Sequence, residues 1–389
     1  MNENVTVNSE LVSTVNPYLC YNTPMTYLVS LVVFILALGL LVIIHELGHF
    51  LTAKLFNVRV EEFGFGLPPR LFGKKKGETI YSINAIPAGG FVKLTGEDGP
   101  EVDNDPRSFS SLVPWKRAII IVAGVTMNFL LAVIAFSIIY SVGGPVVSDR
   151  VLIEKVAADS PAAQAGLREG DFLIKLDGLK VNDPRRLGRI IKERAGQETE
   201  VIYEREGQEL TTRVTPRKDP PVGQGPTGIQ TISDVSIKSY PLWEAPIVGT
   251  TQAFRLTGEM VEGFGLMIAD LVVKREAPEE VGGIIRIGYM THKATEAGWQ
   301  TVLMLVGLLS LNLAFLNILP LPALDGGRFV FVLFEGITRR RVPPRIEKII
   351  HGSGMAFLLF LVLLITYNDL IWVWANTSLK DKFQLLLPK

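Results

Sequence analysis

Cysteine is almost absent from this chain. The single Cys20 can form no internal disulfide and supports no cysteine-based metal site, so it is given no role. Histidine is scarce as well, with four in 389 residues. Neither charge is in excess, 39 Lys and Arg against 39 Asp and Glu, which argues against a dedicated nucleic-acid binder. No long internal repeat is visible, and the lack of an inverted-repeat signal gives a transporter little support. Charge is also missing locally. Residues 27–44 (YLVSLVVFILALGLLVII) carry none, and residues 1–26 hold no Lys or Arg.

Such uncharged runs are what the chain does have. Segments at about 25–44, 118–142, 299–322 and 353–376 are long enough, or nearly so, to cross a bilayer core as helices of roughly 20 residues. The fourth is the weakest, since Asp369 interrupts it near its end. The first reads as a span and not as a cleaved signal, because it has no basic flank and leads into a motif that processing would discard. Lys and Arg crowd the loop 51–117 and the stretch after the third segment, which places both on the cytoplasmic side. The N-terminus, the central insert and the C-terminus are then outside; Lys380, Lys382 and Lys389 run mildly against this.

Between the spans the chain divides further. Residues 1–26 are a polar extension, and 27–146 are the first part of a membrane domain. Within it, 58–96 alternates and breaks at Gly and Pro like a β-hairpin. Residues 147–219 read as an independent α+β domain, with a turn at Gly207 and a Pro/Gly-rich linker over 216–228. Residues 220–298 combine linker with an apolar-spaced helix at 242–273, which either lies on the outer membrane surface or gates a membrane site. Residues 299–389 complete the membrane domain.

The chemistry concentrates at LVIIHELGHFL, residues 41–51. Positions i and i+4 share a helix face, so His45 and His49 can present two imidazoles to one cation. Glu46 is placed to take a proton from the attacking water, whose pKa a zinc ion lowers to about 7. Ionisable groups at the end of an apolar span mark function by default. A catalytic zinc needs a third protein ligand. His292 and His351 sit in ordinary polar stretches and read as solvated or structural. Asp325 is the better candidate: in LNLAFLNILPLPALDGGRF, Pro320 and Pro322 break the third span, the chain becomes extended, and Gly326 and Gly327 permit close backbone approach. Both motifs lie toward the cytoplasmic ends of spans of the same direction.

IIHELGHFLTAKLFNVRVEEFGFG, FLNILPLPALDGGR, IPAGGFVKLTGE, VAGVTMNFLLA and SPAAQAGLREGDFLIKLDG together resemble the site-2 proteases, intramembrane zinc metalloproteases, and especially their RseP-like bacterial branch. The resemblance covers roughly 27–372. It implies a polytopic α-helical membrane protein of about four spans, a membrane-associated β-hairpin and an inserted PDZ domain. It implies one zinc ion held by His45, His49 and Asp325, with Glu46 as the catalytic base. Asn317 matches a family asparagine that holds substrate or stabilises the reaction. Gly89 and Gly90 of the hairpin would help bind substrate, and Gly166 and Leu167 fall in the peptide loop of the PDZ domain. The implied activity is cleavage of transmembrane segments of single-span proteins in regulated intramembrane proteolysis. Anti-sigma factors and signal-peptide remnants are the type of substrate, trimmed first by another protease. The implied location is the bacterial cytoplasmic membrane. Only one PDZ-like domain is visible, VGGIIRIG at 281–288 lacks the family's proline, and the N-terminal extension has no counterpart. The competing expectation is a membrane-anchored PDZ scaffold that binds protein tails without cutting them.

Overall fold

The structure is a computed structural model that describes residues 24–97, 105–221, 223–273 and 282–376. The polar extension up to residue 23 with Cys20, and the tail from 377, lie outside them. The chain divides into two units, Met1–Ile139 with Leu242–Lys389, and Tyr140–Pro241.

Four helices of the first unit are long and apolar enough to cross a membrane: α1 (Pro24–Leu55), α2 (Pro114–Val142), α7 (Trp299–Ile318) and α9 (Pro344–Asn376). At 1.5 Å per residue, the 32 residues of α1 exceed a hydrocarbon core of roughly 30 Å. Its surplus carries HELGH and continues to Leu55. Helix α9 starts nine residues before the expected 353. Asp369 does not weaken it: the side chain is fully buried and accepts hydrogen bonds from the backbone N–H groups of Gly283 and Arg286, at 3.0 and 3.1 Å. It thereby supplies the acceptor that Gly283, the N-cap of α6 (Ile284–Ala297), lacks a side chain to provide. Residues 282–288 of that stretch thus have a structural role, opening the helix α6 that packs on α1, α7 and α9.

Helix α5 (Ala245–Val273) packs along α2 and α7. Phe254 meets Phe129 at 5.0 Å between ring centroids and Phe264 meets Phe315 at 5.7 Å. A Cβ on Gly249 would stand 2.7 Å from the Ser137 backbone nitrogen, so glycine is what lets α5 approach α2. Strands β1 (Val60–Lys76) and β2 (Thr79–Leu94) form the hairpin. It is more elaborate than the alternation suggests. Phe63 pairs with Tyr81 on one side and Val92 on the other, while 70–76 pairs back onto 79–84. The two strands therefore fold into four adjacent segments. Their apolar side chains, among them Leu71, Phe72, Ile83 and Ile86, stay exposed. At its root, Val58, Val60 and Leu94 bury against Ala53 of α1 and Ile120 of α2.

The second unit is an antiparallel sheet in the order β7-β6-β4-β3-β8, with β5 (Leu179–Lys180) on β4. Its strands are β3 (Gly144–Val156), β4 (Phe172–Leu176), β6 (Thr199–Arg205), β7 (Gln208–Val214) and β8 (Ile229–Lys238). Helices α3 (Pro161–Gln164) and α4 (Pro184–Glu193) are capped by Ser160 and Asp183. Alternate strand residues, Val151 and Ile153, Val201 and Tyr203, meet Leu187 and Ile191 of α4 in one core. Strand β8 lies beyond residue 219, where the sequence ends the domain. The stretch read as linker is the return into a strand that pairs with β3 from Gly144↔Lys238 to Val156↔Ile229.

Asp171 anchors this unit. It is 1% exposed and accepts from Arg205 Nε and Nη2 and from the Arg168 backbone, each at 2.7 Å. Asp171→Ala leaves those donors unanswered and is expected to destabilise the unit by about 3 kcal/mol. Hydrogen exchange on the full chain should show lost protection in β3, β4 and β6 and unchanged protection in α1, α2 and α7.

Candidate metal centre

The HELGH segment stays helical because nothing in it breaks the α1 ladder, so His45 and His49 fall one turn apart on one face. That face meets α2. A Cβ on Gly48 would stand 2.4 Å from the Ala123 carbonyl oxygen, and one on Gly124 would stand 2.4 Å from His49 Nε2. Glycine at both positions gives the two helices their close crossing and the imidazoles their space.

The third group arrives from a break in the chain. Helix α7 stops at Ile318, and Leu319 turns extended. The passage to Asp325 is a pair of tight turns, not the plain extended segment expected from the two prolines. Leu321 N–H donates to Leu319 O, Leu324 N–H donates to Leu321 O, and Ala323 takes a left-handed φ of 73°. Asp325 then opens a helix absent from the sequence reading, α8 (Asp325–Thr338). Gly326 and Gly327 are packed so tightly that a Cβ would come within 2.1 and 2.3 Å of the carbonyl oxygens of Leu319 and Leu321.

The result is a nearly equilateral triangle. His45 Nε2 is 3.0 Å from Asp325 Oδ2, His49 Nε2 is 3.3 Å from the same oxygen, and the two Nε2 atoms are 3.2 Å apart. Four-coordinate zinc with ligands at about 2.0–2.2 Å needs neighbouring ligand atoms about 3.3–3.5 Å apart, so the donor set fits zinc in size and in chemistry. No other group of three His, Cys, Asp or Glu donors clusters in this way among the described residues. His292 and His351 are employed elsewhere: His292 meets Ser30 Oγ at 2.9 Å and stacks on Tyr27, and His351 Nδ1 accepts from the Ala323 N–H at 3.0 Å.

The far nitrogens of both imidazoles are fixed as well. His49 Nδ1–H donates to the Ile120 carbonyl at 2.8 Å, which leaves Nε2 as the ligating lone pair. His45 Nδ1 lies 3.2 Å from the side-chain amide of Asn128, a fully buried residue of α2. A ligating Nε2 makes Nδ1 a donor, so the amide must present its oxygen there, and Oδ1 has no competing partner among the described residues. Asn128 is the residue that sequence reasoning missed. Its signal was an asparagine inside the uncharged run 118–142, the kind of polar group that needs a reason at that depth.

Glu46 faces the hairpin. A Cβ on Gly90 would stand 3.2 Å from Glu46 Cγ and 2.8 Å from Val42, and the Val92 backbone lies against the Glu46 carboxylate. The outer segment of the folded hairpin, 90–94, therefore runs beside the metal centre. Gly89 takes a φ of 95° just before it. Asn317, on the last turn of α7, sits with Nδ2 3.5 Å from His45 Nε2. Gly166 and Leu167 belong to the other unit. Their amides donate to Ala163 O and Ala162 O, the Gly166 carbonyl accepts from Arg205, and the Leu167 side chain is in the core. No free donor is left at those two residues to grip a peptide.

Comparison with known proteins identifies the family. The sequence profile of Peptidase family M50 matches residues 33–361. The chain belongs to that family. A curated relative from Clostridium perfringens, named as a candidate zinc metalloprotease, is 35% identical over 87% of this chain and 97% of its own length. Relatives so named from Fusobacterium nucleatum, 35% identical over 90% and 100%, and Mesorhizobium japonicum, 32% identical over 88% and 99%, are similar. Among solved structures, the PDZ domain of an SdrC-like protein from Listeria monocytogenes is 22% identical and covers 22% of this chain and 92% of its own, with a TM-score of 0.20. This M50 peptidase is a zinc metalloprotease.

Two variants separate the ligand from its support. Asp325→Ala is expected to remove zinc from the purified protein, from one ion per chain to under about a tenth. Asn128→Leu should retain zinc but lose it to a competing chelator at about 10–100-fold lower chelator activity.

Proposed function

We propose that this M50 peptidase is an intramembrane endopeptidase that cuts transmembrane segments of single-span proteins. The observation that carries this reading is the placement of the His45–His49–Asp325 triangle. Its ligands come from α1 and from the break after α7, two helices fit to cross a bilayer, and the backbone edge at 90–94 lies beside it. When bound, zinc supplies Lewis acidity that polarises the scissile carbonyl and acidifies the attacking water. Glu46 takes the proton from that water and delivers it to the leaving amine. Asn317, whose Nδ2 is 3.5 Å from His45 Nε2, would hold the substrate backbone or the developing oxyanion.

A transmembrane helix has its amides tied up in i to i−4 bonds and must unwind before attack. The segment 90–94 pairs on one side with 60–65, and its other side can take an extended peptide as an added strand. Gly89 and Gly90 keep side chains out of that approach. The M50 peptidase would then act in regulated intramembrane proteolysis, on anti-sigma-factor or signal-peptide-remnant types of substrate already trimmed outside the membrane. The inserted α+β unit, as a PDZ domain, would discourage untrimmed substrates. The orientation with that unit and both termini outside a bacterial cytoplasmic membrane follows from the Lys and Arg bias of the loops.

Glu46→Gln should keep stoichiometric zinc and lose cleavage of a reconstituted single-span substrate by at least about 10³-fold. Cleavage retained at near the wild-type rate would sink the mechanism, whereas normal binding of protein tails with no zinc would favour a scaffold. Gly90→Val should lower turnover about tenfold or more with zinc content unchanged, because the added side chain meets Val42 and Glu46 where the peptide edge approaches.

A further inference from the structure

A second polar cavity borders the turn and helix that carry Asp325, without sharing a zinc ligand in its lining. A cavity of about 460 Å³ opens between the first turns of α2 and α9 and one face of α8. Two buried donors line it without an acceptor. Arg117, on α2, is 8% exposed and pairs with Glu335 through Nη2 at 2.6 Å, but its Nε–H has no partner among the described residues. His351, on α9, accepts the Ala323 N–H at Nδ1, so its proton must sit on Nε2, and that buried nitrogen is also unpartnered among the described residues. Orphaned buried donors are costly, and here two from different helices share one cavity. Both lack an acceptor, so the group this cavity calls for is one that accepts hydrogen bonds from two sides.

The charges agree. Arg328, Arg341 and Lys348 also line the cavity. Of the three carboxylates present, Glu335 is held by Arg117 and by Arg341 at 2.8 Å, and Glu97 is held by Arg328. Glu335 answers these cations so fully that, against its burial, its carboxyl is held below the ordinary range. Four cationic side chains thus face three carboxylates, an excess of one positive charge, and Glu347 has no such pair among the described residues. Helices α2 and α9 both begin here, which adds the positive ends of two helix dipoles.

The mouth of the cavity identifies the carrier of the acceptor. Met355, at its rim, is 50% exposed and begins an apolar ridge on α9 that continues at helical spacing through Leu359, Val362 and Leu363, at 58, 53 and 70% exposed. A charged cavity opening onto an apolar ridge suits a molecule with a charged head and hydrocarbon tails. We propose that this cavity binds the phosphate of an anionic phospholipid, with its acyl chains along α9. The lipid source rests on α2 and α9 crossing a bilayer.

The test uses the full chain, stripped of lipid in detergent and titrated with dioctanoyl phosphatidylglycerol, dioctanoyl phosphatidylcholine or inorganic phosphate, with bound species read by native mass spectrometry. One phosphatidylglycerol per chain should be retained, at least tenfold tighter than phosphatidylcholine, with inorganic phosphate competing only at a large excess. Arg117→Gln and Lys348→Gln should each weaken retention about tenfold; Lys348→Gln leaves the Glu335 pair intact, so it reports even where Arg117→Gln does not fold. Equal retention of the two lipids, or no loss in Lys348→Gln, overturns the proposal. Saturation by inorganic phosphate as tightly as by phosphatidylglycerol assigns the cavity to a free anion and overturns the lipid. A chain that stays in solution without detergent contradicts the membrane reading separately.

Discussion

A carboxylate oxygen held 3.0 and 3.3 Å from two imidazole nitrogens, among helices with long uncharged faces, is a costly arrangement unless a cation stands between them. That requirement organises the first unit of this M50 peptidase. The histidines need a continuous helix to share a face, whereas the aspartate must enter from a chain that has stopped being helical. Helix α1 supplies the first condition, and the turns between Ile318 and Asp325 supply the second. Glycine reconciles them. Gly48 and Gly124 let α1 and α2 cross where the imidazoles project, and Gly326 and Gly327 fold α8 back against the end of α7.

Around that triangle each support serves orientation more than binding. The Ile120 carbonyl and the Asn128 amide fix the far nitrogens of His49 and His45, and Ser310 on α7 donates to the Asn128 carbonyl at 2.7 Å. One residue of α2 thus ties a ligand on α1 to the helix that leads to Asp325. A displaced α7 would disturb both the third ligand and the tautomer of the first. The His351 bond to Ala323 restrains the same turn from the side of α9.

Much of the centre was legible because its signals are local. HELGH carries its own periodicity, and two prolines followed by Asp-Gly-Gly announce a break with a charge at its end. Even so, the form of the break is not encoded locally, since the same prolines allow an extended passage or the turns that Ala323 completes. Asp369 read as a flaw in the fourth span because its partners, Gly283 and Arg286, lie 86 and 83 residues away. Asn128 and Gly124 acquire meaning only from the imidazoles packed on them. Strand β8 was hidden behind a Pro/Gly-rich stretch that looks like linker and behaves as a turn into the sheet. The doubling of the hairpin was hidden in register, which a pattern of alternation does not encode.

The hairpin also bears on how a substrate reaches the zinc ligands. Phe65 packs on Gly39 and Gly90 on Val42 and Glu46, so the sheet runs back along the apolar part of α1. Backbone that is not helical is costly in an apolar medium unless its polar groups are paired or line a cavity. The inner segments 60–67 and 79–84 meet that condition with partners on both sides, whereas 90–94 is paired on one side only. The outer edge beside Glu46 therefore carries no further strand among the described residues. Under the proposed function, that edge would receive the substrate backbone as an added strand where the base and the zinc ligands converge.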